Sequence, residues 1–255
     1  MPRKRRPIAL PSPYLRRVWF DGKAAVDWSA YPFNLPLFAG GAFELAFEAP
    51  VTIIVGENGS GKSTLLEGIA ALAGFDEAGG GKGYRLVDHS GALDKSGTHL
   101  EKALRASWLP KLTNGWFFRA ESFYSIARSL DSLAVQYPLG GGPSPDFLSH
   151  SHGEGFLRFF LERLRGQALY IFDEPESALS PKRQVELVQT LMRLEGEAKF
   201  QIVMATHSPL LMAYPGATLL QIDGRAMAPV RLEDTAHFRM LKAFVGDPQG
   251  FLANA

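Results

Sequence analysis

Three short segments are apolar almost from end to end: Val51–Val55, Ala168–Phe172 and Phe200–Ala205. Runs of this length, rich in β-branched and aromatic residues, suit strands of a parallel sheet covered on both faces. A half-exposed strand would alternate instead. Elsewhere the apolar positions change to helical spacing. Leu65, Leu66, Ile69 and Leu72 mark a helix from about residue 62 to 73. Val185, Leu187, Val188, Leu191 and Leu194 mark another, opened by Ser180 as N-cap and Pro181 in the first turn. Residues 122–135 and 155–164 share that periodicity, and 235–245 reads as a final helix. Residues 84–119 read as short strands and turns, with strands at Tyr84–Val87, Ala103–Leu109 and Trp116–Phe118. A terminal hairpin around Asp223-Gly224 is expected within 217–230. Gly79-Gly80-Gly81 with Gly83, and the stretch 138–145, break the pattern as loops. No internal repeat is visible. Strands alternating with helices predict an α/β chain with a mostly parallel central sheet and flanking helices.

The chain of 255 residues has room for one large α/β domain or two small ones, and 46% hydrophobic with 21% charged residues is ordinary globular composition. No apolar run approaches the roughly 18 residues of a membrane span. The basic start is followed by only Ile8-Ala9-Leu10 before prolines, so a secretory signal is not expected and a cytoplasmic location is. Absence of cysteine excludes disulfides, thiolate metal sites and cysteine nucleophiles. A net charge of +1 gives no global pull toward nucleic acid. Arg3, Lys4, Arg5, Arg6, Arg16 and Arg17 form one local basic stretch. It reads first as a solvated terminus and second as an arm that touches phosphates or a partner.

Two constellations carry chemistry. Gly56-Glu57-Asn58-Gly59-Ser60-Gly61-Lys62-Ser63, followed by Thr64, matches GxxxxGK[ST] between a buried strand and a helix. Glycines let successive N–H groups converge on phosphate oxygens, and the helix aims its positive end at the same point. Lys62 would reach the β- and γ-phosphates, and the Ser63 hydroxyl would ligate Mg²⁺, which takes oxygen ligands. A plain glycine turn with a surface lysine would share the spacing but not both flanks. The second constellation is Asp173-Glu174 at the end of an otherwise apolar strand. Buried charge is costly unless a cation or hydrogen bonds compensate. Mg²⁺ near the phosphate loop would compensate Asp173, and Glu174 would orient or deprotonate an attacking water.

Further motifs fall in order. Pro175-Glu176-Ser177-Ala178-Leu179-Ser180 is similar to the D-loop of ATP-binding-cassette ATPases, and Thr206-His207-Ser208-Pro209 resembles their switch-histidine segment. Leu148 to Glu154 sits where their signature loop belongs. The chain thus resembles the stand-alone predicted ATPases of this P-loop NTPase superfamily, often labelled AAA family and related to the heads of chromosome-maintenance and repair proteins. The resemblance implies one ATPase domain over 1–255. Its parts would be 1–80 with an antiparallel β segment, the phosphate loop and its helix, 81–165 with an inserted β and helical region carrying the signature loop, and 166–255 with the acids, switch histidine and terminal hairpin and helix. It implies ATP and Mg²⁺ as cofactors. Ser63 and Asp173 would serve the ion, Glu174 would be the base and His207 the γ-phosphate sensor. Ser151 and Gly153 would contact ATP held by a partner copy, so that ATP is sandwiched in a head-to-tail homodimer. Glu121 would occupy the Q-loop place as a catalytic and metal-side residue.

Several residues depart from the family pattern. The signature reads Ser-His-Gly-Glu, Glu121 replaces glutamine, and the D-loop ends in Ser180 rather than aspartate. No aromatic stands out for adenine. His150 and His152 alternate without an acid cluster, so no metal site is read there. Trp116, Phe117, Phe118 and Phe123, like Phe156, Phe159 and Phe160, read as core. Three uses compete: an ATPase serving DNA repair, defence or signalling through a protein partner or DNA, a transporter's nucleotide-binding subunit, and a slowly hydrolysing sensor. The signature and Q-loop departures argue against a membrane permease. The 88 residues from Ser63 to Ser151 leave no room for a long coiled-coil arm.

Overall fold

The computed structural model describes residues 10–82, 96–112, 114–122, 128, 152–164, 166–195 and 199–254. The expected strand at 84–87, the loop at 138–145, Ser151, the basic residues 3–6, Phe123 and nearly all of the helix at 122–135 lie outside them. In chain order the strands are β1 (Leu15–Phe20), β2 (Glu44–Ala46), β3 (Val51–Val55), β4 (Leu104–Trp108), β5 (Gly115–Arg119), β6 (Ala168–Asp173), β7 (Phe200–Ala205), β8 (Thr218–Asp223) and β9 (Ala226–Pro229). The helices are α1 (Lys62–Ala73), α2 (Ser96–Ala103), α3 (His152–Arg163), α4 (Pro181–Glu195), α5 (Pro209–Met212), α6 (Ala236–Gly246) and α7 (Pro248–Ala253).

The central sheet has the order β5-β6-β7-β3-β8-β9. Every neighbouring pair is parallel except β8–β9, the anticipated hairpin. Both faces are covered, which is why β3, β6 and β7 are apolar at successive positions. Ile54, Leu169, Ile171, Val203 and Ala205 point into one core, with Leu65, Leu66 and Ile69 of α1. Ile53, Val55, Tyr170, Phe172, Ile202 and Met204 point into the other, with Phe156, Phe159 and Phe160 of α3 and Leu187 and Leu191 of α4.

Phe118 sits in the middle of that second core. Its ring stacks on Phe172 at 4.9 Å and meets Phe160 edge-on at 5.1 Å. Phe118→Ala would leave a cavity at the junction of β5, β6 and α3, and a loss of about 3–5 kcal/mol is expected. Chemical denaturation checks it, as a fall in midpoint with an unchanged slope.

A second sheet, β2-β1-β4, is wholly antiparallel. Its anchor is Gln201, fully buried in β7. The Gln201 Oε1 accepts from the N–H groups of Tyr14 (2.9 Å) and Leu15 (2.7 Å), and its amide donates to Leu15 O at 3.0 Å. One polar side chain thus completes three backbone hydrogen bonds and fixes the start of β1 to the central sheet. One expectation is corrected. Within 84–119, residues 96–103 form a helix rather than a strand or turn. Leu100 packs so close to α1 that a Cβ on Gly68 would lie 2.8 Å from its Cδ2. Only Leu100 and Ala103 are apolar in this helix, too few to show a period, and packing on α1 decides its form.

Candidate active site

Register brings the chemistry to one edge of the sheet. Ile54 of β3 and Asp173 of β6 both lie opposite Ala205 of β7. The glycine loop after β3, the acids at the end of β6 and His207 just past β7 therefore emerge together. This is the carboxyl edge of parallel strands, where open α/β sheets place their ligands.

The loop's glycines have specific work. Gly56 has no room for a side chain, since a Cβ would lie 2.9 Å from Ser60 Oγ and 3.2 Å from Ile222 O. Gly59 (φ 77°) and Gly61 (φ 96°) take left-handed conformations that favour glycine. Gly61 caps α1, so the first-turn N–H groups of that helix face the loop. Lys62 is buried, and its Nζ donates to the carbonyls of Gly56 (2.8 Å) and Glu57 (3.0 Å). Burial lowers its pKa, opposed by the carboxylates of Glu174 and Asp173. Ser63 Oγ donates to Asp173 Oδ1 at 2.9 Å across 110 positions of sequence. A cleft of about 200 Å³ is lined by Tyr31, Asn58, Gly59, Lys62, Ser63 and Glu174, among others.

Asp173 is buried, and desolvation pushes its pKa up to about 6 despite Arg119 and the Ser63 hydrogen bond. Arg119, at the end of β5, lies opposite Asp173 in the sheet register. Its Nε is 3.5 Å from Asp173 Oδ2, and its Nη1 is 2.8 Å from the Glu67 carboxylate. The carboxylate of Asp173 is thus only partly compensated, and with the Ser63 hydroxyl it forms an all-oxygen donor pair. That set fits Mg²⁺. Glu121 lies apart: its side chain is 80% exposed and reaches the region only through Arg119, 3.5 Å away.

Glu174 has φ 47°, the one non-glycine residue in the left-handed region among those described. Such a conformation costs of order 1–3 kcal/mol and persists where surrounding contacts impose it. Here Glu174 N–H is held by Ala205 O at 3.0 Å, and the side chain lines the cleft. His207 faces it, with Nε2 3.4 Å from Glu174 Oε1. The His207 N–H donates to Glu176 Oε1 at 2.5 Å, and its Nδ1 lies 2.9 Å from Nε2 of His237. Burial, and then the Lys62 charge, lower the His207 pKa and favour the neutral ring. Gly153 is in the first turn of α3, while Ser151 is outside the described residues.

Five participants escaped sequence reasoning. An arginine closing the apolar run Gly-Trp-Phe-Phe-Arg119 was a usable signal. Glu176, in Glu-Pro-Glu, was visible as a motif member but not as the acceptor that orients the His207 backbone. Glu67 and His237 gave none. Tyr31 is half exposed beside the cleft, its hydroxyl 3.4 Å from Thr64 Oγ1.

Residues 94–213 match an AAA-domain family model whose description also names the AbiEii toxin and a type IV TA system. Residues 34–105 match a second AAA-domain model. The lipoprotein-releasing system ATP-binding protein LolD of Geobacter metallireducens is 28% identical, over 71% of this chain and 85% of that protein. The molybdenum import ATP-binding protein ModC of Methylococcus capsulatus is 24% identical over 90% of this chain, which spans 65% of the ModC length. Among solved structures, the SMC head domain from Thermotoga maritima aligns with a TM-score of 0.44 and 14% identity, covering 86% of this chain and 99% of the other. The sheet order and the loop geometry define a P-loop fold, and the sequence matches make the chain similar to ATP-binding proteins of the ATP-binding-cassette type. Among the described residues no helix is long and apolar enough to cross a membrane.

Proposed function

We propose that the chain hydrolyses Mg-ATP to ADP and phosphate in a head-to-tail dimer and uses the cycle to drive a partner. The observation that carries this reading is the 2.9 Å contact between Ser63 and Asp173, which joins the phosphate loop to the acid-bearing strand. The N-terminus of α1 and Lys62 bind the triphosphate, Lys62 exchanging the loop carbonyls for phosphate oxygens. Ser63 and Asp173 would hold Mg²⁺, which when bound would neutralise phosphate charge. Glu174 orients the water and takes its proton as the water oxygen bonds to the γ-phosphorus and the bond to the bridging oxygen breaks. His207 donates to a γ-phosphate oxygen. Tyr31 offers its ring to the adenine. Gly153, with Ser151, closes the site of the opposite copy.

Light scattering tests the dimer. With Mg²⁺ and a non-hydrolysable ATP analogue the mass is expected to double, and to return to the starting value when nucleotide is removed. A mass unaffected by saturating nucleotide would contradict the sandwich. The relatives are named for import and lipoprotein release, so the expectation against a membrane permease loses its support. That observation favours a second reading as a transporter's nucleotide-binding subunit. Cofractionation with a membrane permease would support it. A stand-alone engine would instead copurify with a soluble partner or DNA.

A further inference from the structure

We infer that His237, at the start of the C-terminal helix α6, is a positioning residue that selects the working tautomer of His207. The inference rests on the proposed role of His207 as phosphate donor. His207 Nδ1 and His237 Nε2 are 2.9 Å apart, and two neutral rings at that distance share one proton. If His207 held it, His207 Nε2 would turn a lone pair toward Glu174 Oε1, 3.4 Å away, and two acceptors would face each other. If His237 holds it, His207 Nε2 carries hydrogen and turns the positive edge of its N–H, not a lone pair, toward the carboxylate, with which it makes no hydrogen bond at 3.4 Å. Only the second arrangement avoids placing lone pair against carboxylate. It also leaves an N–H on the side of Glu174, a residue of the cleft lining, the form that a γ-phosphate oxygen requires. An oriented partner that sets the tautomer of a catalytic imidazole is a general device.

The fold holds His237 for this purpose. Thr235 is fully buried and caps α6, accepting from the Phe238 N–H at 3.3 Å and donating to Leu232 O at 2.8 Å. No residue of α6 itself is buried, and Met240 and Val245 are exposed. The helix therefore meets the site through its first turn, where His237 stands beside the switch histidine.

Two measurements test the assignment. Long-range imidazole ¹⁵N spectra at neutral pH, assigned with a His207→Gln variant, are expected to show His207 as the Nε2–H tautomer in the wild-type chain. In His237→Phe, which keeps a ring but no donor, the signal should become a tautomer mixture. A wild-type Nδ1–H form, or an unchanged Nε2–H form in His237→Phe, would overturn the inference. In steady-state turnover, His237→Ala and His237→Phe are expected to lower kcat about 10-fold with KM for Mg-ATP changed less than about twofold. His237→Gln, whose amide N–H falls near the place of Nε2–H, should recover most of kcat. Equal turnover in all four proteins would also overturn it. A wild-type chain with no turnover would end the ATPase reading, and the spectra would still decide the role of His237.

Discussion

Glu174→Gln is expected to keep Mg-ATP affinity within about threefold of wild type while turnover falls roughly a thousandfold. The amide has nearly the shape of the carboxylate and tolerates the same backbone, so the left-handed turn at φ 47° and its hydrogen bond to Ala205 O survive. What it lacks is a site for the proton of the attacking water. Binding and hydrolysis then separate. In the proposed sandwich ATP would still bridge two copies with nothing to remove the γ-phosphate, so the variant should accumulate as an ATP-bound dimer. Phosphate-release kinetics and light scattering on the same sample check both halves. Hydrolysis at the normal rate would remove Glu174 from the base role.

Lys62→Ala acts one step earlier. Charge-assisted hydrogen bonds contribute about 1.5–3 kcal/mol each, so losing two to the triphosphate should weaken ATP binding about 100-fold or more. The fold should hardly notice. The Lys62 Nζ spends its hydrogen bonds on loop carbonyls and pays a desolvation penalty that lowers its pKa. The thermal midpoint without nucleotide should therefore move by only a few degrees. The stabilisation that Mg-ATP gives the wild-type chain, which grows with the logarithm of ligand over Kd, should shrink by about 2.7 kcal/mol or more at saturating nucleotide. A midpoint that rises with Mg-ATP as much in Lys62→Ala as in the wild type would place the nucleotide elsewhere.

How much of this was legible depends on how local each cause is. β3, β6 and β7 declared themselves because burial on both faces leaves no polar position in the pattern except Thr52, Gln201 and the terminal Asp173. The phosphate loop was legible for the same reason a turn is: φ 77° and φ 96° at positions 59 and 61 favour glycine. The two acids were legible as an expense without a visible return, and the return is Ser63 with Arg119 beside it. β1 was harder, since Leu15–Phe20 carries two arginines that were read as part of a basic terminus. Its place is set by Gln201, 186 positions from Leu15, which no local pattern can announce. Tyr31 reached the cleft, and His237 reached His207, only through tertiary packing. Glu121 shows the opposite failure. Its motif position suggested the site, and the arginine two residues before it, rather than the glutamate, points inward to Asp173.

The most direct test is phosphate release from ATP by the purified chain as Mg²⁺ is titrated from zero, with Asp173→Asn run alongside. Release that is absent without Mg²⁺, saturates with it in the wild-type chain and stays near background in the variant is the predicted result. Release independent of Mg²⁺, or equal in the two proteins, would contradict a shared cation site between Ser63 and Asp173.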